Sequence, residues 1–488
     1  MREFILIVYI LALVIIFAYA VNSFLLLIYY RKKMNYEPPK KTNLKLKYVT
    51  IQLPVYNEYY VIERLLNAVC AIDYPRDFLE IQILDDSTDE TKNLIDNFVA
   101  KKRADGFDIK VIRRKKRKGY KAGALKHGLQ FAKGDFIAIF DADFVPEPDF
   151  LKRTLPYFSS PEIGMVQTRW GHLNEDFSIL TKLQAVALNN HFVIEQTVRN
   201  RKGYFINFNG TGGIWRKRCI IEAGNWHDDT IAEDVDLSYR AQLKGWKFVY
   251  LNNYETKAEL PAEINALKTQ QHRWTKGTTQ AARKLLPVIW RAKLPVQTKL
   301  QATFHLTAHF VFPLILGLAV LTVPSLLIKT EGVYQMYFHI ASFFILSLFM
   351  SFLFFLYAQK DAGENWKKKI LLFPLFLSGS MGLALNNTKA LFEGLFRNDN
   401  KFVRTPKFGD KMAKEEIFKN KYLAFDKLDF VTIAEFALAA YSLIAILIAI
   451  LRKEYSAIPF TLFYLFGFGS IFYLSFKTNF IQKKRKAS

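Results

Sequence analysis

The sequence predicts an α/β domain built on a mostly parallel sheet, joined to a bundle of membrane-spanning helices. Three observations predict it. Short apolar runs alternate with helical patterns between residues 48 and 140. Long apolar stretches flank a span, about 45–290, that contains none. Acidic and polar groups gather just behind the short runs, where open α/β sheets place their ligands.

The membrane elements open the chain. Phe4 to Tyr30 carries no charge and is long enough for the roughly 30 Å hydrocarbon layer. No small-residue cleavage site follows it. Arg31-Lys32-Lys33 does, so the segment reads as a retained anchor. Further apolar stretches lie at about 302–328, 333–358, 370–387, 429–451 and 456–476. Lys and Arg collect on cytoplasmic loops, so the basic segment Arg31 to Lys47 puts the soluble domain in the cytoplasm and the N-terminus outside. Arg397 to Lys427 holds nine Lys and Arg residues, and the tail holds Lys483-Lys484-Arg485-Lys486. Both stay cytoplasmic if the segment 370–396 re-enters or lies in the interface without crossing. Pro374, Ser378-Gly379-Ser380 and Gly382 interrupt it. The expectation is five spans in the plasma (inner) membrane, N-terminus outside and C-terminus inside.

The net charge of +24 on 488 residues has the same origin. The bases are spread over membrane-flanking segments beside anionic lipid, with no helix-turn-helix, zinc-finger or base-stacking motif, which argues against a nucleic-acid partner. Cys70 and Cys219 are the only cysteines, so neither a disulfide framework nor a cysteine metal site organises the chain.

In the soluble span, Tyr48 to Leu53, Ile81 to Leu84, Lys110 to Ile112 and Phe136 to Phe140 read as strands. Helical patterns at 58–72, 88–104 and 120–132 separate them. Asp141-Ala142-Asp143 follows the fourth strand. Two carboxylates at a strand end suit a divalent cation, Mg2+ or Mn2+, carrying a diphosphate. Asp85-Asp86 ends the second strand ahead of Ser87-Thr88. A nucleobase or ribose contact is expected there, with helix capping the alternative.

Lys118 to Leu125 follows six consecutive bases, Arg113 to Lys118. Gly119 and Gly123 would admit a ligand close to the backbone, and Lys121 would reach a phosphate. The basic run itself reads as lipid-facing or substrate-attracting. Asn209-Gly210-Thr211-Gly212-Gly213 is a flexible polar turn suited to an acceptor. Glu233-Asp234 opens a helix, a common place for capping acids but also for a carboxylate base, and Asp234 is chosen for that part. On a helix, Gln270, Arg273 and Trp274 fall on one side. The arginine suits a departing diphosphate and the indole the apolar face of a pyranose. Beyond it, 277–293 reads as an interfacial helix.

These residues, with Gln52-Leu53-Pro54-Val55-Tyr56-Asn57-Glu58, resemble the processive family 2 glycosyltransferases, which include cellulose, hyaluronan and chitin synthases. Ile83 to Asp89, Phe140 to Phe150 and Asn207 to Thr211 are most similar to the cellulose-synthase-like mannan and glucomannan synthases, over roughly 48–410. The resemblance implies a Rossmann-like GT-A fold, an inverting mechanism, a nucleotide-sugar donor (GDP-mannose or UDP-glucose) and a glycan or lipid acceptor. It places Tyr56, Glu58, Asp85, Asp86, Lys121, Asp141 and Arg273 on the nucleotide sugar, and Asp141 and Asp143 on the metal. Asp234, with Glu233, is catalytic; Asn209, Gly210, Thr211, Gln270 and Trp274 face the acceptor. Phe402 to Lys407 resembles a gating loop, with Thr405 and Lys407 over the nucleotide. Ala232 replaces a threonine often found before the Glu-Asp pair, and Arg404 an apolar loop residue.

The expected domains are an anchor and basic linker (1–44), a glycosyltransferase domain (45–275), an interfacial helix (276–300), two spans with a re-entrant segment (301–396), a gating loop (397–428), and two spans with a basic tail (429–488). The expected activity is a β-linked hexose polymer made and passed across the membrane. A single-addition glycolipid transferase is the alternative.

Overall fold

The computed structural model describes residues 1–32, 46–363, 365–397, 402–409, 420–422 and 429–487. Side chains beyond 481 and most of the basic linker and loop lie outside this set. The four expected strands form as β1 (Val49–Val55), β2 (Leu79–Asp85), β3 (Ile109–Ile112) and β4 (Phe136–Ile139). Their apolar runs are nearly continuous because helices cover both faces of the sheet. On one face Ile62, Leu65, Leu66 and Val69, a helical stripe, pack on Ile51, Leu53, Ile81 and Ile83. On the other, Ala124, Leu125 and Leu129 pack with Ile137, Ile139, Trp215 and Trp226.

β1 pairs in parallel with both β2 and β4, setting Val55 opposite Asp85 and Gln52 opposite Ile139. Parallel strands end on one edge, so the residues following β1, β2 and β4 are brought side by side. Four further strands complete the sheet: β5 (Phe144–Val145), β6 (Ile163–His172), β7 (Gly213–Arg216) and β8 (Lys247–Ala258). The order is β3-β2-β1-β4-β7-β6-β8-β5, with antiparallel pairs β4–β7, β6–β7 and β5–β8.

Among the described residues five helices are long and apolar enough to cross a bilayer: Arg2–Arg31, Ala308–Thr330, Gln335–Ala362, Phe430–Leu451 and Tyr455–Ile481. Arg2 pairs with Glu331 at 3.0 Å, Tyr334 donates to Glu3 at 2.7 Å, and Lys329 pairs with Glu454 at 2.5 Å. The N-terminus and both hairpins therefore share one end of the bundle. At the other end Lys268, from the sheet domain, pairs with buried Glu435 at 2.9 Å.

The helices Phe373–Gly382 and Ala384–Phe396 have 10 and 13 residues. At about 1.5 Å per residue neither spans the layer. The segment leaves and rejoins the sheet domain. Lys369 pairs with Glu175 at 2.6 Å, and Lys276 lies 3.6 Å from Glu393. Its glycines serve close packing. A Cβ on Gly382 would stand 2.4 Å from the Gly467 carbonyl oxygen, so two helices touch backbone to backbone there.

Candidate active site

The edge formed by the carboxyl ends of β1, β2 and β4 opens into a cavity of about 760 Å³. It collects Tyr56, Glu58, Asp86, Lys121, Asp141 and Asp143 from that edge. Asn209 and Gly210 enter from the turn before β7, Glu233 and Asp234 from the start of helix Glu233–Leu243, and Gln270, Arg273 and Trp274 from one side of helix Ile264–Arg291. Thr405 and Lys407 close it from the strap 402–409.

Lys121 ties the acids together. Its ammonium is 2.6 Å from Asp141, 3.9 Å from Glu233, and donates to the Gly210 carbonyl at 3.0 Å. Burial pushes the carboxyls of Asp141, Glu233 and Asp234 upward, and Lys121 pulls each of them partly back. Glu233 stands at about 7. Gly210 has φ +81°, and a Cβ there would sit 3.1 Å from Asp234 Oδ2 and 3.3 Å from Lys121 Nζ. Only glycine suits both that backbone and that gap.

Arg273 lies among Asp141, Glu233, Asp143 and Asp234, with its guanidinium 4.7 Å from the Phe402 ring; burial lowers its pKa. Gly277, one turn further on, lets this helix close on the backbone just before Glu233. A Cβ would stand 2.9 Å from the Ala232 backbone nitrogen.

The strap is pinned at several points. Arg404 makes a fork to Glu58, Nε to Oε1 at 2.8 Å and Nη2 to Oε2 at 2.6 Å. Glu259 accepts the Phe408 and Gly409 N–H groups at 2.6 and 3.0 Å. Lys407 donates to the Glu259 carbonyl at 2.8 Å and pairs with Asp143 at 2.7 Å. Thr405 is 4% exposed, and its hydroxyl has no hydrogen-bond partner among the described residues.

Two expected site residues are not brought in. Asp85 is 1% exposed and does not line the cavity. Its carboxylate accepts the Ser87 N–H at 2.9 Å and Arg113 Nε at 2.8 Å, because its side chain leaves β2 on the covered face. Thr211 points away too, its hydroxyl accepting the Asp141 N–H at 2.9 Å. It fixes the loop that carries the aspartates.

Other expectations are corrected in the same way. Ser87 and Thr88 do not cap the next helix. Ser87 Oγ accepts the Asn57 N–H at 2.9 Å, and the Thr88 N–H reaches Asn57 Oδ1 at 2.8 Å. The helix starts at Thr91, whose N–H bonds to Asp89 at 3.1 Å. Gly119 and Gly123 make room for the protein's own groups: a Cβ on Gly123 would collide with the Lys118 carbonyl and Arg114. Three bases of the run 113–118 face inward. Arg113 holds Asp85, Arg114 forms a fork to Asp86, and Arg117 lies 3.3 Å from the centre of the Tyr56 ring. The boundary drawn at 275 cuts through a single helix. Lys276 to Ala282 is mostly buried, and the exposed Val288 and Trp290 come only near its end.

Sequence reasoning did not identify Glu259, Arg114 or the cavity-lining Trp170 and His172. Glu259, directly after β8, repeated the signal already used for β1, β2 and β4, but β8 was not recognised as a strand.

Residues 47–277 match the model of the glycosyltransferase like family 2. The chain is 37% identical over 405 residues to glucomannan 4-beta-mannosyltransferase 9 of Arabidopsis thaliana, covering 78% of this chain and 72% of that protein. It is 36% identical over 415 residues to glucomannan 4-beta-mannosyltransferase 1 of Oryza sativa subsp. japonica, covering 80% and 76%. The chain belongs to the family 2 glycosyltransferases.

It is a glycosyltransferase of the cellulose-synthase-like kind. A solved structure, the mannosyltransferase PcManGT from Pyrobaculum calidifontis in complex with GDP-Man and Mn2+, matches with a TM-score of 0.57. It covers 81% of this chain and 100% of that one, at 18% identity. That likeness establishes the GT-A fold of this family 2 enzyme.

Proposed function

We propose that this glycosyltransferase polymerises hexoses from GDP-mannose or UDP-glucose into a β-linked mannan, glucomannan or glucan. The growing chain passes outward through the protein's own membrane helices. One observation carries this reading. The cavity that holds Asp141, Asp143 and Asp234 continues past Trp274 to Phe312, Ser378, Phe466 and Leu474, on membrane-embedded helices. The relatives' mannosyl transfer to glucomannan supports mannose as the donor sugar.

Asp141 and Asp143 fit a divalent ion, Mg2+ or Mn2+. Both are hard oxygen donors on the cavity wall, and both are now neutralised by lysine ammonium groups. When bound, the ion would offset the charge developing on the diphosphate. Tyr56, Glu58 and Asp86 hold the nucleotide, and Thr405 supplies an unused hydroxyl above it. Lys121, Arg273 and Lys407 stabilise the leaving diphosphate. Asp234 takes the proton of the acceptor hydroxyl, whose oxygen attacks opposite the nucleotide and inverts the anomeric carbon. Glu233 holds Lys121 in register, and Gln270 and Trp274 seat the acceptor end. The sheet domain works in the cytoplasm and the bundle in the plasma membrane.

Membranes containing the protein, given a panel of nucleotide sugars with Mg2+ or Mn2+, should incorporate mannose or glucose into a polymer that a β-glycanase digests. A product of one sugar on a lipid would overturn polymerisation. Asp234→Asn should bind GDP or UDP as the wild type does and transfer nothing. Continued incorporation would remove Asp234 from the role of base.

A further inference from the structure

On the membrane side of Trp274 the cavity is walled by His191, Phe192, Glu195, His305 and His309, none of which the chemistry above uses. His191 and Glu195 belong to a π-helical turn, Asn190–Gln196, a rare irregularity that recurs at functional sites. His191 Nδ1 lies 3.1 Å from Glu195 Oε2. The His305 ring stacks on that of His191, centres 6.3 Å apart and planes at 26°. His305 Nδ1 is 2.7 Å from the hydroxyl of fully buried Tyr239, which stands on the helix that begins with Glu233 and Asp234. His309 Nδ1 is 3.2 Å from Thr275 Oγ1, next to Trp274. The wall is thus braced against both catalytic helices.

Its chemistry selects a ligand. Burial drives His305 well below the ordinary histidine range, so its ring is neutral. Nδ1 is engaged by the Tyr239 hydroxyl, which leaves Nε2 to pair with a ligand hydroxyl, itself able to donate or accept. Burial alone would raise the Glu195 carboxyl, but the hydrogen bond and charge of His191 outweigh it and hold Glu195 ionised, an acceptor only. Aromatic faces complete the wall: Trp170 lies 5.1 Å from Phe192 and 6.5 Å from Trp274, centre to centre. An acyl chain here would cover the cavity-facing part of the Glu195 carboxylate with hydrocarbon at a cost, and an anion would be repelled by it. A hexose ring meets both demands, with C–H faces for the rings and hydroxyls for Glu195 and the imidazoles.

We propose that His191, Glu195 and His305 form a second acceptor subsite, binding hydroxyls of the sugar two residues behind the growing end of the chain. This rests on the polysaccharide reading above. It makes the enzyme sensitive to acceptor length, beyond the single sugar that Trp274 seats.

The test uses the full-length protein in lipid nanodiscs with β-1,4-linked mannose oligomers, from dimer to hexamer. Transfer from GDP-mannose is measured as KM and kcat, and hexamer binding by tryptophan fluorescence without donor. Glu195→Gln and His305→Phe should each raise KM for the trimer and longer acceptors about fivefold, the size of one hydrogen bond. Hexamer affinity should fall by the same factor, and the dimer KM should move far less. GDP binding reports folding, and His191→Gln is a third variant if either is misfolded. Equal KM shifts for dimer and hexamer, no shift at all, or a loss confined to kcat would each overturn the subsite. If the wild type binds the hexamer but transfers nothing, the function falls and the fluorescence arm still decides on the subsite. If the wild type does not bind the hexamer, the subsite falls.

Discussion

Lys121 makes it possible for three half-buried carboxyls, Asp141, Glu233 and Asp234, to share one corner. Each has its pKa raised first by burial and lowered next by this ammonium. A base must be ionised to accept a proton, so transfer should fall as pH drops through the pKa of Asp234, which burial raises from its ordinary value. Lys121→Met removes the stabilising cation and disfavours the charged form further. The acid limb of kcat/KM should then move to higher pH by about one unit, with a lower plateau. An unmoved limb would mean that Lys121 does not set the ionisation of these acids. Much of this corner was legible in the sequence, because Asp86, Asp141 and Glu58 directly follow strands. Asp85 and Asp86 were not separable. Alternation sends adjacent side chains to opposite faces, and only the register with β1 and β3 shows which face opens to the cavity.

In the proposed mechanism acceptor geometry depends on helix Ile264–Arg291, which meets the backbone beside Glu233 at Gly277. A methyl group there would press on the Ala232 backbone, one residue before Glu233. Gly277→Val should therefore displace Glu233-Asp234 from Trp274 and cut kcat at least tenfold, since small misplacements cost that much or more. Nucleotide affinity should stay close to the wild type, and its loss would show that the residue serves the fold instead. The strap gives a second test at this scale. Glu259 accepts two of its backbone N–H groups and pairs with Arg64 at 3.2 Å. In Glu259→Ala the amides of Phe408 and Gly409 should exchange with deuterium at least tenfold faster, about the loss of one hydrogen bond to a charged group. Unchanged protection would mean that the Arg404–Glu58 fork alone holds the strap. Neither contact could be read from the chain. The strap lies some 150 residues from Glu259, and its docking depends on β8. The polar stretch Asn252-Asn253-Tyr254-Glu255 within β8, where its register with β6 shifts, hides the strand from any periodicity argument.

At the scale of the molecule, sheet domain and bundle act together only if the cavity opens toward the far side of the bilayer. With one span ahead of the domain, that places the domain on the side opposite the N-terminus. The ion pairs Arg2–Glu331 and Lys329–Glu454 place residue 2 and the hairpins near 331 and 454 at one end, while Lys268–Glu435 and Lys369–Glu175 hold the domain at the other. The basic segment Arg31 to Lys47, read by the positive-inside rule, predicts the same orientation independently. Single cysteines can separate the ends. Cys70 is half-buried and Cys219 buried, so background labelling should be small. In intact cells, a membrane-impermeant maleimide should modify Arg452→Cys, on the exposed turn between the last two spans, and spare Lys116→Cys, on the exposed face of the domain. Permeabilisation should make both reactive. If Lys116→Cys labels first, the domain faces outward, away from any cytoplasmic supply of nucleotide sugar. If neither labels until permeabilisation, residue 452 shares the domain's side and the segment 370–396 crosses.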